Sequence, residues 1–171
     1  MKQCKFQFLL FILAFSLMTI TSCTNNEKPA AEAPAATTEE APAPAHDETI
    51  QVSLDGNDQM QYDKSNISVY AGQTVVLTLK HTGKMAKAAM GHNFVLLAQG
   101  TDVDAFAEDA IKASATDYVP EGDSRVIAHT SLIGGGETTT VTFKAPEAGS
   151  YDFICSFPGH HMTMKGKFNV E

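Results

Sequence analysis

A cysteine, a histidine and a methionine lie within ten residues of one another near the end of the chain. They are Cys155, His160 and Met164, in the sequence CSFPGHHMTMKG. Their thiol, imidazole and thioether groups are all metal ligands, and the two sulfur groups favour Cu(I). A Pro-Gly pair before the histidine favours a tight turn. The spacing therefore predicts a loop that turns all three side chains toward one point.

A second histidine, His92, opens the apolar stretch HNFVLL, which predicts a strand. Two imidazoles and a thiolate in one plane, with a weak thioether on the axis, form the ligand set of blue-copper sites. Such a fixed geometry lets the ion change oxidation state with little rearrangement. A lone histidine, methionine or buried cysteine is more often structural, but the joint spacing of the four predicts copper.

Three classes of function are compatible with such a site. The first is a one-electron shuttle, the second an envelope protein that binds and delivers copper without redox cycling, and the third an enzyme. A copper oxidoreductase needs further histidine clusters such as His-x-His pairs, which the sequence lacks. A hydrolase needs an exposed thiolate beside an oriented base, whereas Cys155 ends an apolar strand. The pattern favours a non-enzymatic shuttle, with copper delivery as the alternative.

The segment that must position these ligands consists mainly of predicted short strands. Residues 74–80 and 138–143 alternate apolar and polar side chains, which is typical of half-buried antiparallel strands. Residues 102–115 predict a short helix with acidic residues in its first turn. We therefore predict an all-β fold, a two-sheet Greek-key sandwich of about eight strands with one short helical insertion. The other predicted strands are 51–54, 67–69, 93–97, 124–128, 151–155 and 166–170.

The chain begins with the pattern of an export signal over residues 1–22. Two lysines precede an apolar run, residues 6–20, that is shorter than a comfortable bilayer span. Small polar residues then lead to Cys23, as in a bacterial lipobox, although Ile20 stands where leucine is usual. This resemblance implies a lipoprotein signal and an acylated Cys23. The alternative is an ordinary secretory signal.

Residues 23–48 contain mostly Ala, Pro, Glu and Thr. They lack the branched apolar and aromatic residues that a core needs, which predicts a disordered, lipid-anchored tether. His46, within it, is expected to be a solvated linker residue. Residues 49–171 have globular composition and form the predicted domain.

Charge and cysteine usage exclude two further classes. The domain carries fourteen acidic and nine basic side chains, a net charge of about −5, which argues against nucleic acid as a partner. Cys4 lies in the signal and Cys23 is the predicted lipid site, so Cys155 is alone in the domain. A single thiol cannot form a disulfide scaffold.

Several motifs of the domain resemble those of azurins, blue-copper proteins of the cupredoxin family. They are MGHN at 90–93, CSFPGH at 155–160 followed by MKG at 164–166, GNDQMQ at 56–61 and DSRVIAHT at 123–130. The likeness covers essentially all of 50–170. It implies electron transfer with redox proteins such as cytochromes, on the periplasmic side of the bacterial cell envelope. The tether after a lipobox also resembles lipid-modified azurins.

The resemblance implies a role for each matching residue. His92, Cys155 and His160 would be equatorial ligands, Met164 the axial ligand, and the Gly91 carbonyl a contact from the opposite side. In addition, Asn93 would hydrogen-bond across the ligand loops, Phe157 would pack beside the site, and Met90, Gly159 and Met162 would form an apolar rim around His160 where electrons leave.

The sequence departs from the azurin pattern at several positions. Ile50 and Gln73 stand where azurins carry a disulfide, whose loss costs about 2–4 kcal/mol of stability unless packing compensates. The chain has no tryptophan, and Phe94 follows the ligand segment instead. His161 replaces a smaller residue beside His160, which changes the expected docking surface. His81 and His129 match azurin positions that are not ligands.

Overall fold

Eight strands and two short α-helices make up the part of the chain that the computed structural model describes, residues 48–171. The helices are α1 (Lys87–Met90) and α2 (Val103–Lys112), and short 3-10 helices span Ser114–Thr116 and His160–Met162. The strands are β1 (Thr49–Gly56), β2 (Asn66–Val69), β3 (Thr74–His81), β4 (Val95–Leu97), β5 (Val126–His129), β6 (Thr138–Lys144), β7 (Gly149–Ile154) and β8 (Lys165–Val170).

The strands form two sheets, with the orders β1–β3–β6 and β2–β8–β7–β4–β5. The predicted mostly-β sandwich of about eight strands with a short helix is confirmed. Strand β3 pairs antiparallel with β6, as its alternating pattern predicts, but it pairs parallel with β1. Strand β2 likewise runs parallel to β8. Each sheet therefore has one parallel edge pair that alternation alone does not specify.

The core between the sheets follows from the alternation of apolar residues. Val75, Leu77 and Leu79 of β3 are fully buried, while the side chains between them face outward. They belong to one cluster with the buried rings of Phe94 and Phe153. This core holds β4 and β7 side by side, and the predicted metal ligands lie in the segment before β4 and in the loop after β7.

Helix α2 covers the outer face of the five-stranded sheet. The Asp102 carboxylate accepts hydrogen bonds from the backbone N–H groups of Asp104 and Ala105, which caps the helix. Phe106 and Ala110 are buried in a cluster with residues of β4 and β7. The helix is shorter than the predicted 102–115, since the chain tightens into the 3-10 helix at Ser114–Thr116.

Some predictions concern residues outside the described part of the chain. The signal (1–22), Cys23, His46 and nearly all of the tether (23–48) lie there, so the domain boundaries stay predictions. Within residues 48–171, no helix is long and apolar enough to cross a membrane.

Candidate metal centre

His92, Cys155 and His160 come together at one end of the sandwich. One potential ligand atom from each lies within 4.8 Å of the others, and all three residues are buried. The Cys155 Sγ is 3.5 Å from the His160 Nδ1. The structure therefore brings together three of the residues predicted from their spacing as metal ligands.

The loop after β7 positions Cys155 and His160. The Cys155 N–H donates to the Met164 carbonyl (2.9 Å), so the pairing of β7 with β8 extends one residue beyond each strand. Between them the chain turns at Gly159, whose positive φ of 80° favours glycine. The Met164 N–H then donates to the His160 carbonyl (2.8 Å), which closes the loop.

His92 precedes β4 rather than opening it, because β4 begins at Val95. An isolated bridge to Ile133 holds the His92 backbone, with hydrogen bonds of 2.9 and 2.8 Å. Its ring lies between two carbonyl oxygens: Nε2 is 2.9 Å from Asn57 and Nδ1 is 2.9 Å from Gly91. A neutral imidazole has one N–H. Donation from Nε2 to Asn57 leaves the Nδ1 lone pair free for a metal.

Met164 and Gly91 lie beside the three clustered residues. Met164 is fully buried in an apolar cluster that contains Cys155, Leu132 and Phe157. The Gly91 carbonyl oxygen is 3.8 Å from the Cys155 Sγ. A Cβ at position 91 would lie 2.6 Å from the Lys87 carbonyl oxygen and 2.8 Å from the Leu132 side chain, so only glycine fits without displacement.

Burial keeps all three clustered residues neutral without a metal. It lowers the pKa of His92, and it lowers the pKa of His160 to about 4, with His92 and His81 adding to the effect on His160. Burial raises the pKa of the Cys155 thiol to about 12. The imidazoles therefore offer lone pairs at neutral pH, while a thiolate here requires a cation to compensate its charge. This donor set, two imidazoles and a thiol beside a thioether, fits copper.

Asn93 connects the segments that carry His92 and Cys155. Its Nδ2 donates to the Ser156 hydroxyl (2.9 Å) and to the Asp117 carbonyl (2.8 Å). The Ser156 N–H in turn donates to the Asn93 Oδ1 (2.9 Å). The geometry thus suits the bridging role that the resemblance implies for Asn93.

Phe157 packs against His160, and the residues of the predicted apolar rim are partly or largely exposed. The Phe157 ring lies 4.7 Å from the imidazole and is largely buried. Met162, two residues after His160, is 66% exposed. Gly159 is exposed, and Met90 is partly buried at the end of α1. Met60 adds an exposed side chain next to the loop, since the Thr163 hydroxyl donates to its carbonyl (2.8 Å).

The other described histidines lie outside the cluster. His81 is fully buried and stacks on His92, with ring centroids 4.1 Å apart. The Gly83 N–H donates to its Nδ1, so its Nε2 carries the proton and donates to the Met90 carbonyl (2.8 Å). His129 is exposed on β5. His161 is half-buried, with its Nε2 3.5 Å from an Asp104 carboxylate oxygen.

Several residues that support the site were not predicted as site residues from the sequence. Gly56 lies against two predicted ligands, since a Cβ there would be 2.8 Å from the His92 ring and 3.2 Å from the Met164 methyl group. It belongs to the motif GNDQMQ, whose match to azurins was the only signal for it. Asp117, Tyr118 and Leu132 follow no pattern of spacing, and only the folded chain brings them to the site.

A family model for copper-binding proteins of the plastocyanin/azurin family matches residues 48–171. An azurin of Alcaligenes faecalis is 52% identical over 124 residues, which cover 70% of this chain and 96% of that protein. Outer membrane protein H.8 of Neisseria gonorrhoeae is 44% identical over 121 residues, 69% of this chain and 66% of that protein.

Solved structures give the same result. Auracyanin from Roseiflexus castenholzii superimposes with a TM-score of 0.65 at 35% identity, covering 71% of this chain and 96% of that chain. An azurin (Az-iso2) from Methylomonas sp. strain J has a TM-score of 0.65 at 36% identity, covering 71% and 97%.

Proposed function

This chain belongs to the plastocyanin/azurin family of copper-binding proteins, and from that premise we propose that it carries single electrons between redox partners in the bacterial cell envelope. It is a blue-copper protein and binds one copper ion. Bound copper supplies one-electron chemistry between Cu(II) and Cu(I). The observation that carries the proposal is the buried cluster of His92, Cys155 and His160.

We assign the metal to five groups of this chain. His92, Cys155 and His160 are the principal ligands, and the Met164 thioether and the Gly91 carbonyl are weaker contacts. The hydrogen bonds around Asn93 and the closed loop after β7 hold these groups in place in the protein alone. Ligands that are already in position need little rearrangement when the charge of the site changes.

The solvent exposure of the proposed ligands suggests the route by which electrons enter and leave. Cys155, His92 and Met164 are fully buried, whereas His160 is 3% exposed and precedes the exposed Met162 by two positions. We therefore propose that electrons pass through the His160 imidazole. Met90, Gly159 and Met162 then form the apolar contact surface for a redox protein such as a cytochrome, and Phe157 shields the ring from water. Small apolar contact surfaces are common where redox proteins meet transiently.

Copper delivery is the alternative function, and an enzyme is the third class. A site whose ligands are almost wholly buried opposes rapid transfer of the ion to another protein. The cavity of about 480 Å³ lined by residues such as Thr116, Glu121 and His129 contains none of the proposed ligands. We assign no catalytic residue.

Spectroscopy and competition for copper test the proposal. The Cu(II) form is expected to show an intense visible absorption band that disappears on reduction and in Cys155→Ala. His129→Ala removes an exposed histidine outside the cluster and should retain the band. A colourless Cu(II) form, or rapid loss of copper to a competing apoprotein, would establish delivery or storage instead.

An electron-transfer assay tests whether the protein exchanges electrons with a redox partner. Mixing the Cu(II) form with a reduced cytochrome in a stopped-flow instrument should give fast reduction that matches the loss of the visible band. Bleaching that needs minutes with every cytochrome tried, while copper stays bound, would contradict an electron-carrying role.

We also propose how the domain reaches its place in the envelope. Residues 1–22 are a lipoprotein signal, Cys23 receives the lipid, 23–48 form a tether and 49–171 form the copper domain. The match to a relative named as an outer membrane protein supports an envelope location. Radiolabelled palmitate should label the protein but not Cys23→Ala. Cys4→Ala is the matched control and should be labelled normally; label that persists in Cys23→Ala rules out this anchor.

A further inference from the structure

Two consecutive non-glycine residues near the site have left-handed backbone conformation. Asp117 has φ 58° and Tyr118 has φ 61°. Residues with a Cβ adopt this region rarely, and a pair in sequence persists only where the surrounding structure holds it. The pair follows the 3-10 helix at Ser114–Thr116, and the Tyr118 N–H donates back to the Ala113 carbonyl (2.9 Å).

The left-handed turn directs two carbonyl oxygens at neighbours of the ligands. The Asp117 carbonyl accepts from the Asn93 Nδ2 (2.8 Å), and the Tyr118 carbonyl accepts from the Ser156 hydroxyl (2.7 Å). Asn93 directly follows His92 in the chain, and Ser156 directly follows Cys155. One turn of backbone therefore holds the residues next to two of the proposed ligands.

The side chains of Asp117 and Tyr118 contact two other residues near the site, Leu132 and Phe157. The Asp117 carboxylate accepts from the Leu132 N–H (3.1 Å) and lies 3.6 Å from the Lys87 ammonium group. Leu132 packs in the same cluster as the Cys155 thiol. The Tyr118 ring meets the Phe157 ring edge-on, with centroids 5.2 Å apart.

We infer that Asp117 and Tyr118 are positioning residues for the metal centre, a role that rests on the proposed function. If the pair relaxes to the right-handed region, its carbonyls turn away from Asn93 and Ser156. The Cys155 segment then loses its attachment to the His92 segment. The pair acts through Asn93, Ser156, Leu132 and Phe157. The Tyr118 ring also packs against the cluster that contains Cys155 and Met164.

Variants at position 117 separate backbone geometry from charge. Asp117→Ala removes the carboxylate and disfavours the left-handed conformation. Asp117→Asn loses the charge but keeps an acceptor oxygen and a side chain that tolerates this conformation. Gly122→Ala is the matched control, because Gly122 is left-handed (φ 70°) in the same loop and a Cβ there meets nothing within 4 Å. Ser156→Ala removes the hydroxyl that donates to the Tyr118 carbonyl and that also accepts from the Asn93 Nδ2.

The first measurement needs no copper. Alkylation of the buried Cys155 thiol in the folded, metal-free protein reports local opening of the site, and mass spectrometry of the Cys155 peptide gives its rate. Relative to Gly122→Ala, we expect Asp117→Ala and Ser156→Ala to react about tenfold faster or more. Asp117→Asn should stay near the unsubstituted rate. Denaturant unfolding of each variant corrects for differences in global stability.

The second measurement uses the Cu(II) form. The visible band should shift in Asp117→Ala and Ser156→Ala but not in Gly122→Ala. The inference is overturned if both variants match Gly122→Ala in alkylation rate and in spectrum. If Asp117→Ala does not fold, Tyr118→Ala takes its place, because it removes the ring that meets Phe157. If the unsubstituted protein lacks the blue band, the proposed function fails, while the alkylation rates still test the positioning role.

Discussion

Cys155 is the residue at which burial and metal binding oppose each other most directly. Its side chain is fully buried, and this burial raises the pKa of the thiol to about 12. Between the lowered pKa values of His92 and His160 and that pH, the metal-free site holds a neutral thiol beside two neutral imidazoles. A metal ion in contact with the sulfur reverses the balance, since a coordinated thiol loses its proton.

Metal binding is therefore expected to release about one proton between pH 7 and 9. The released proton comes from Cys155, because the histidines have lowered pKa values and have already lost theirs in this range. The metal affinity should accordingly rise about tenfold per pH unit. Titration calorimetry of Zn(II) binding in buffers of different ionisation enthalpy measures the proton count.

Cys155→Ser is the informative variant for this experiment, and His129→Ala is its control. Loss of the thiol should abolish tight binding, whereas His129→Ala should bind with the same proton release as the unsubstituted protein. Binding with no proton release in the unsubstituted protein would mean that the folded site already holds a thiolate.

Met162 is the residue at which the proposed electron route meets solvent. It is 66% exposed and lies two positions from His160. Two molecules that exchange electrons would have to contact each other through this surface. Met162→Glu places a negative charge there on both molecules, and repulsion between like charges slows their association. We expect the self-exchange rate, measured by NMR line broadening in mixtures of Cu(I) and Cu(II) forms, to fall about tenfold or more.

Ile111→Glu provides a matched control for Met162→Glu. Ile111 is also an exposed apolar residue, 50% accessible, but it lies near the end of α2. Ile111→Glu should reduce the exchange rate much less than Met162→Glu, because Ile111 lies at the opposite end of α2 from Asp104, the residue that pairs with His161. An equal reduction by both variants would place the exchange surface elsewhere.

Ion pairs hold the segment between α2 and β5 in place. The Asp123 carboxylate accepts hydrogen bonds from the Arg125 backbone N–H and guanidinium group, and a second carboxylate, Asp109 of α2, pairs with the same guanidinium. These hydrogen bonds to Arg125 lower the pKa of Asp123. The pairing ties the loop that contains Asp117 to both the helix and the strand.

The lowered pKa gives this attachment a defined pH dependence. Its stabilisation is complete above the ordinary carboxyl pKa of about 4 and is lost as the pH falls through the lower folded-state value. Asp123→Asn should therefore destabilise the domain at pH 7, with a difference that disappears toward pH 2–3. Urea unfolding at several pH values measures it. Asp152→Asn, which alters an exposed ion pair with Lys167, should show a much weaker dependence.

The strands are the elements that the sequence predicts best. Apolar alternation identifies β3 and β6, because one face of each strand is less exposed to solvent than the other. The pattern does not contain the pairing partner, so the parallel pairs involving β1 and β2 were not predicted. The one-turn helix α1 was missed since four residues are too few to show a helical period.

The sequence likewise predicts some residues of the metal site and not others. Cys155, His160 and Met164 are close in sequence, and their chemistry is legible from residue type alone. His92 is distant from them in sequence; it joined the set because it opens the apolar stretch HNFVLL and completes the ligand types of a blue-copper site, and the azurin resemblance supported it. The Asp117–Tyr118 turn was not predicted, because nothing in the local residue types requires positive φ at both positions. Its conformation comes from contacts with residues that are distant in sequence, such as Asn93 and Ser156.

At the scale of the whole molecule, the proposed metal site lies between separate parts of the fold. Cys155 is the free, buried cysteine of the described chain, so residues 48–171 contain no disulfide. The segment before β4 and the loop between β7 and β8 are joined by hydrogen bonds and packing alone. A metal held by His92 and by Cys155 and His160 adds a cross-link between them.

Removing the metal should therefore lower the stability of the domain substantially. A ligand that binds only the folded state stabilises it by about 4 kcal/mol when its free concentration is a thousand times its Kd. Differential scanning calorimetry should accordingly show a Tm lower by about 10 °C or more for the metal-free protein than for the Cu(I) or Zn(II) form. Cys155→Ala should unfold at the same temperature with and without metal, since it lacks the thiolate.

Equal Tm values for the metal-free and metal-bound unsubstituted protein would show that the metal does not cross-link the two segments. The two segments would then be joined by packing and by the hydrogen bonds between Asn93 and Ser156.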